Sequence, residues 1–376
     1  MLRVVEDVES ALGRSDLMIY LDNNTTTAMS EVVIQQMRDD TALLSKNPTQ
    51  WEDVLEQSKR RIRLLLGIDS GQILLTSGGT ENAALFLHGL QARHVVASPL
   101  EHISVLSHDS MEMVITQVPL TAQGEWQLPV LETVLKQGPG VVATTVVNSE
   151  TGVITDVAAV AALTKKVSPQ TKVFVDACQV PGKFRFGKLP EAVDAVSISA
   201  HKFHGPPGVG ALWLRDGIEL VPILSGGFQQ NSYRGGMPNV IGGCGLIAAL
   251  TEVTHRDDFG SISRLRHDLD ELILCVPDVE LNYADAALAP NTSNYHVHGV
   301  RGDVLALLLR KLGVIVSHTS SGLKATNAGT ALMQYLYPEG GADQNVRFSL
   351  SRYNTTEEIR KAANVFGKAV KELRRL

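Results

Sequence analysis

Cysteine is scarce in this chain. Its 376 residues contain three, Cys178, Cys244 and Cys275. None forms a CxxC pair, and the three make no disulfide framework, which points to a reducing, cytoplasmic setting. Long apolar runs are missing too. Mean hydropathy is near zero, and no uninterrupted stretch is long enough to cross a bilayer, so a membrane is not an expected partner. The opening segment MLRVVEDVESALGRSDLM is charged and helical in period, unlike a signal peptide. There is no basic stripe, and the formal net charge is -6, which argues against nucleic acid as a partner. Internal repeats and low-complexity linkers are absent.

What is present is a large reserve of apolar residues, 44% of the chain, enough for a large core and more than one domain. Over the first two thirds, short apolar runs alternate with helical patterns. GQILLTS, RHVVASP, GVVATTVVN, TKVFVDA, AVSISA and GVGALWL read as strands. WEDVLEQSKRRIRLLLG, TENAALFLHGLQ, LPVLETVLKQG and VAAVAALTKKVS read as helices. The alternation predicts an α/β domain with a mostly parallel sheet. From about residue 255 the rhythm changes to that of a smaller α+β domain. The expected division is 15–255 against 1–14 with 256–376.

Three stretches stand out. LLTSGGTENAAL is a strand, a turn at Gly78 and Gly79, and a helix opening at Thr80-Glu81, whose backbone N–H groups suit a phosphate. VFVDACQV places Asp176 at the end of an apolar strand, where a carboxylate needs a cation or hydrogen bonds to keep its charge. AHKFHG places Lys202 between His201 and His204, with no third ligand spaced for a metal site. A capped helix, a structural ion pair and a surface turn would account for each alone. Together they fit one cofactor. Pyridoxal phosphate needs a lysine for a Schiff base, an acid at its ring nitrogen and an anion cradle.

The chain resembles the cysteine desulfurase branch of the fold type I, class V pyridoxal-phosphate enzymes. The likeness runs from YLDNNTTT at 20–27 through TSGGTEN, LEHISV, VNSETGVITDV, VDACQVPGK, SISAHKFHGPPGVGALWLR and RGGMPNV to VRFSLSRYNTTEEI at 346–359. The resemblance implies a large domain with a mostly parallel, mixed seven-stranded sheet, a smaller α+β C-terminal domain, and a homodimer. It implies that Lys202 carries pyridoxal 5'-phosphate, that Asp176 pairs with the pyridinium nitrogen and that Gln179 hydrogen-bonds the phenolic oxygen. His102 would stack on the ring and join Lys202 in catalysis. Gly79, Thr80, Ser199 and His201 would hold the phosphate. Arg347 would clamp a substrate α-carboxylate, with Asn24, Thr26 and Ser149 beside it.

The pattern breaks in VIVSHTSSGLKATNAG, 314–329. Related desulfurases carry a reactive cysteine in a loop here, because a soft thiolate must accept the sulfur. Counting from Val316 puts Gly322 at that place, and neither serine nor threonine forms a persulfide. His318 and Lys324 add polar groups to the same stretch. Ser149 stands where the family usually has a second asparagine, close to the ring oxygen and the substrate carboxylate, so the resemblance implies that it touches both cofactor and substrate. Met237 stands where it usually has a threonine reaching the partner subunit's phosphate. The three cysteines are expected to be buried and inert, although Cys178 lies two residues from Asp176.

These features favour an enzyme acting on an amino acid. The preferred reading is a carbon–sulfur lyase that works by β-elimination through a Cα carbanion. Aminotransfer or epimerisation would use the same carbanion. A desulfurase with an external thiol or Cys178 as acceptor is a third reading, and a silent scaffold paralogue a fourth.

Overall fold

The computed structural model describes residues 18–110, 112–184, 189–318 and 330–375. The chain divides into two compact units. The large unit holds 27–148 and 155–257, and the small unit holds the chain up to 26, 149–154 and everything from 258. The sequence reading placed the cuts at 14/15 and 255/256. Residues up to 26 belong to the small unit because Ile19–Tyr20 pairs in parallel with Val314–Ile315 and Asp22 bridges Ser349. Residues 149–154 belong there because Val153 bridges Leu288 and the Ile154 amide donates to Ala287 O at 2.8 Å.

The large unit is built on a seven-stranded sheet of β1 (Gln72–Thr76), β2 (His94–Ala97), β3 (Val114–Gln117), β4 (Val141–Thr145), β5 (Lys172–Asp176), β6 (Ala195–Ser199) and β7 (Gly210–Leu214). Their order is β1-β7-β6-β5-β4-β2-β3. Strand β7 is antiparallel to both neighbours, and every other pair is parallel. Strands β4, β6 and β7 are buried at every residue, as two-sided burial of a parallel sheet requires. Strand β3 lies at the edge with Val114 exposed, so its sequence shows no apolar run. The parallel strands end on a common edge, the place where open α/β sheets bind ligands. Helix Gly79–Gly89 packs on the sheet through Phe86, whose ring stacks on Phe174 at 5.4 Å.

The small unit carries a three-stranded antiparallel sheet of β8 (Val279–Leu281), β9 (Thr292–Val297) and β10 (Asn345–Ser349), in the order β10-β9-β8. Tyr295 and Phe366 each meet the Phe348 ring edge-on, at 5.7 and 5.8 Å. The final helix, Thr356–Leu373, opens on a capping box in which Thr355 and Glu358 satisfy each other's backbone N–H groups. Among the described residues no helix is long and apolar enough to cross a membrane.

Candidate active site

In the large unit the site grows from strand ends. Strand β6 runs into a single 3-10 turn, Ala200–Lys202, and then doubles back. The Phe203 and Gly205 amides both donate to Ala200 O, and a Cβ on Gly205 would lie 2.8 Å from Ala200 Cβ. Only glycine permits that approach. His204 adopts the left-handed conformation (φ 69°), and its amide donates to Thr27 Oγ1 at 2.6 Å. The Thr27 amide and hydroxyl both donate to His201 O, at 2.8 and 2.9 Å. The turn that presents Lys202 is therefore pinned on both sides.

Asp176 ends β5, opposite Ser197 in β6. Its Oδ1 accepts the Cys178 amide at 2.9 Å. Gln179 is buried, and its Oε1 accepts from the ammonium of the equally buried Lys183. His102 caps helix Ile103–Leu106: its Nδ1 accepts the Ser104 amide at 3.1 Å, which leaves the neutral ring's proton on Nε2. Next to it, Glu101 is buried with Oε2 unpartnered, and its pKa is pushed well up, by burial first and then by the Asp176 charge.

Gly79 opens its helix after Gly78, whose φ of 150° is open to glycine and strained for other residues. A Cβ on Gly78 would lie 3.2 Å from Ser199 Oγ, and one on Gly79 would lie 2.9 Å from Cys178 Sγ. The turn is thus a bare backbone cradle in which a side chain would collide. Thr80 follows it and is exposed. Asn82 locks the helix to the sheet, donating to Ser197 Oγ, Ile198 O and Ala211 O at 2.9–3.2 Å. His201 is held neutral, its pKa lowered to about 4 by burial and by the charges of Lys202 and Lys183.

The small unit gathers a second cluster around Arg347, in the middle of β10 and 2% exposed. Its Nη1 donates to Ser149 O at 2.8 Å, and its Nη2 donates to Asp22 Oδ1 at 2.5 Å and Thr25 Oγ1 at 2.9 Å. Its Nε is buried without a partner. Asn24 donates to Ser149 O and Thr292 Oγ1 and accepts from Asn291. Thr26 is exposed, and its carbonyl accepts from Tyr20; the hydroxyl on Arg347 is that of Thr25. Glu150 accepts from Thr330 at 2.7 Å, and burial raises its pKa. The Ser317 and Arg347 backbones pair in both directions, and burial lowers the pKa of the next residue, His318. Gly322 and Lys324 lie outside the described residues.

The cysteines divide unequally. Burial, then Asp176, pushes the Cys178 thiol well up; burial, then Asp40, pushes Cys244 to about 12. Cys275, expected to be buried, is exposed. It caps helix Phe259–Leu274 beside Leu272 and Leu274, which also face outward.

Sequence reasoning did not single out Lys183, Glu101, Glu150, Asp22 or Asn82. All five lie in or beside the motif blocks; the partners of Asp22, Glu150 and Asn82 come from distant strands and turns, whereas Lys183 meets Gln179 within its own block.

A pinned lysine, a strand-end carboxylate, and a glycine cradle at a helix start fit pyridoxal phosphate. Together with the mixed seven-stranded sheet they define a fold type I enzyme that uses this cofactor. The aminotransferase class-V family model matches residues 19–361, and the chain belongs to that family. Cysteine desulfurases from a Nostoc species and from Sinorhizobium fredii are 31% and 32% identical to it. Each alignment covers 95% of this chain, with 94% and 97% of the respective relative. A solved NifS-like protein from Rickettsia africae is similar in structure, with a TM-score of 0.83, 25% identity and 96% of this chain covered against 100% of that one. SspA in complex with cysteine shares the fold at TM-score 0.76 and 23% identity, over 89% of this chain and 99% of its own. The chain is a pyridoxal-phosphate enzyme related to the cysteine desulfurases.

Proposed function

We propose that the chain is a carbon–sulfur lyase acting on a cysteine-derived amino acid. It would take the substrate R–S–CH2–CH(NH3+)–COO− and water to the thiol RSH, pyruvate and ammonium. The observation that carries this reading is that residues 314–329, the stretch that holds the reactive cysteine in the resembling desulfurases, contain no cysteine, and that Cys178, the cysteine nearest Asp176, is a buried thiol whose ionisation is suppressed. A buried thiol next to a carboxylate is a poor nucleophile.

Bound pyridoxal phosphate supplies the electron sink that makes the substrate Cα–H acidic. Lys202 holds the cofactor and then removes the Cα proton. Asp176 keeps the ring nitrogen protonated, and Gln179 donates to the phenolic oxygen. His102 would lie against the ring face and, with its proton on Nε2, would supply that proton to the departing sulfur. The backbone N–H groups of Gly79 and Thr80 would hold the phosphate, with Ser199 and neutral His201 as side-chain donors. As in the family pattern, Arg347 would take the substrate α-carboxylate, with Asn24, Thr26 and Ser149 as further substrate-binding residues.

We also read the protein as a homodimer. The large unit exposes Val221, Ile223, Leu224, Phe228 and Met237 within one short segment, an apolar surface of the kind that a partner covers. The scarcity of cysteine supports a cytoplasmic setting.

The test is product analysis. Cysteine, cystine and S-substituted cysteines are incubated with the purified protein, and pyruvate is measured against alanine. Pyruvate with ammonium supports elimination. Alanine with sulfide sinks it. A second reading, desulfuration with transfer to an external thiol, is favoured by what the relatives are named. It predicts alanine formed in proportion to added thiol, with the sulfur recovered as that thiol's persulfide.

A further inference from the structure

Lys183 is 4% exposed, and its neighbour Gln179 is 5% exposed. A buried ammonium needs a partner, and one lies four residues earlier in the chain. Residues 177–184 form a compact double turn: the Val180 amide donates to Ala177 O, and those of Lys183 and Phe184 donate to Val180 O. Gly182 makes the bend possible. Its φ is +74°, and a Cβ there would lie 2.9 Å from Val253 Cγ1. The bend folds Lys183 back so that its Nζ donates to Gln179 Oε1.

This contact has a chemical consequence. A carboxamide has one accepting end and one donating end, and the two are nearly equal in shape. A lysine ammonium has three donors and no acceptor. It therefore tolerates only the oxygen end and determines which way the amide stands. Lys183 also belongs to the cofactor side of the large unit, because its charge, after burial and Lys202, depresses the pKa of His201.

We propose that Lys183 is a positioning residue: it holds the Gln179 amide with Oε1 turned to the ammonium, so that Nε2–H is the end offered to the phenolic oxygen of the cofactor. The inference rests on the role proposed above for Gln179. Without Lys183 the amide can invert and present a lone pair to the phenolic oxygen, which disfavours that oxygen's ionised form.

The test reads the cofactor's visible absorption band in the holoenzyme as a function of pH, without turnover. Lys183→Met should raise the midpoint of the band's titration by about one pH unit or more. In the Gln179→Leu background the same substitution should add no further shift. Lys183→Arg keeps the donor-only partner and should titrate like the parent. This variant can be read even if the methionine variant does not fold. An unchanged midpoint in Lys183→Met would overturn the proposal, as would an equal shift in both backgrounds, since the lysine would then act through its charge alone. An arginine variant with a displaced midpoint would overturn it as well. A parent protein that never shows a visible band after loading would instead overturn the cofactor role beneath it.

Discussion

The sulfur of Cys178 lies 2.9 Å from the point where a Cβ on Gly79 would stand. One residue follows the strand-end Asp176 and the other opens the helix proposed to bind phosphate, so the two motifs are packed against each other at van der Waals limits. Gly79→Ala should force the thiol or the helix start to move, at a cost of about 1–3 kcal/mol. It should weaken cofactor binding about tenfold or more. Adding Cys178→Gly should restore much of the loss. Fluorescence titration of cofactor into the cofactor-free proteins checks this, and a double variant as weak as Gly79→Ala alone would contradict the packing argument.

The same burial makes Cys178 a structural group. Cys178→Ala should leave the product-forming rate with S-substituted cysteines within a few fold of the parent, with a loss of stability of about 1 kcal/mol for the lost sulfur contacts. Steady-state kinetics and thermal unfolding measure the two effects. A loss of activity of a hundredfold or more, with the fold intact, would reinstate this thiol as a reacting group.

Arg347 is paired with Asp22 at 2.5 Å and held at Ser149 O and Thr25 Oγ1. A lysine carries one point charge and cannot reproduce a planar fork. Arg347→Lys should therefore raise KM for the amino acid at least tenfold, more than it lowers kcat. Arg347→Ala leaves Asp22 without its cation and should destabilise the small unit by about 3 kcal/mol, at the low end for breaking a buried pair. Kinetics with the lysine variant and denaturant unfolding of the alanine variant test the two parts.

Much of the large unit is legible in the sequence, because strands buried on both faces read as unbroken apolar runs: β4, β6 and β7 are the clearest. Strand β3 is not legible, since it lies half-exposed at the sheet edge. Helix Glu31–Lys46 is equally silent, as only Val33 and Leu44 are buried along it. Lys202, Asp176 and the glycine pair show in the sequence because each is a polar or flexible break at the end of an apolar run. The partners of these residues do not show. Asp22 and Arg347 are 325 residues apart, and no local pattern announces that pair. Lys183 lies within the quoted block VDACQVPGK, but its contact with Gln179 depends on the bend at Gly182, which spacing alone does not show.

His201 gives a pH signature. Its folded pKa is lowered to about 4 from an ordinary value near 6.5. Between these values the unfolded chain binds a proton that the folded chain does not. The stability of the cofactor-free protein should therefore fall as the pH drops from 6.5 toward 4. His201→Asn should flatten that part of the profile, and bound phosphate should raise the His201 pKa by adding an opposite charge. Denaturant midpoints across the window, with NMR titration of the ring protons, check the sign. A profile whose slope in this range is unchanged in the asparagine variant would contradict it.

One ε-amine, that of Lys202, is proposed to hold the cofactor. The most direct measurement is borohydride reduction of the loaded protein, followed by proteolysis and peptide mass spectrometry. The expected result is the reduced cofactor's mass on the peptide at Lys202, and none in Lys202→Ala. The modification found on Lys183 or another lysine, or retained in the alanine variant at the parent's level, would contradict the account.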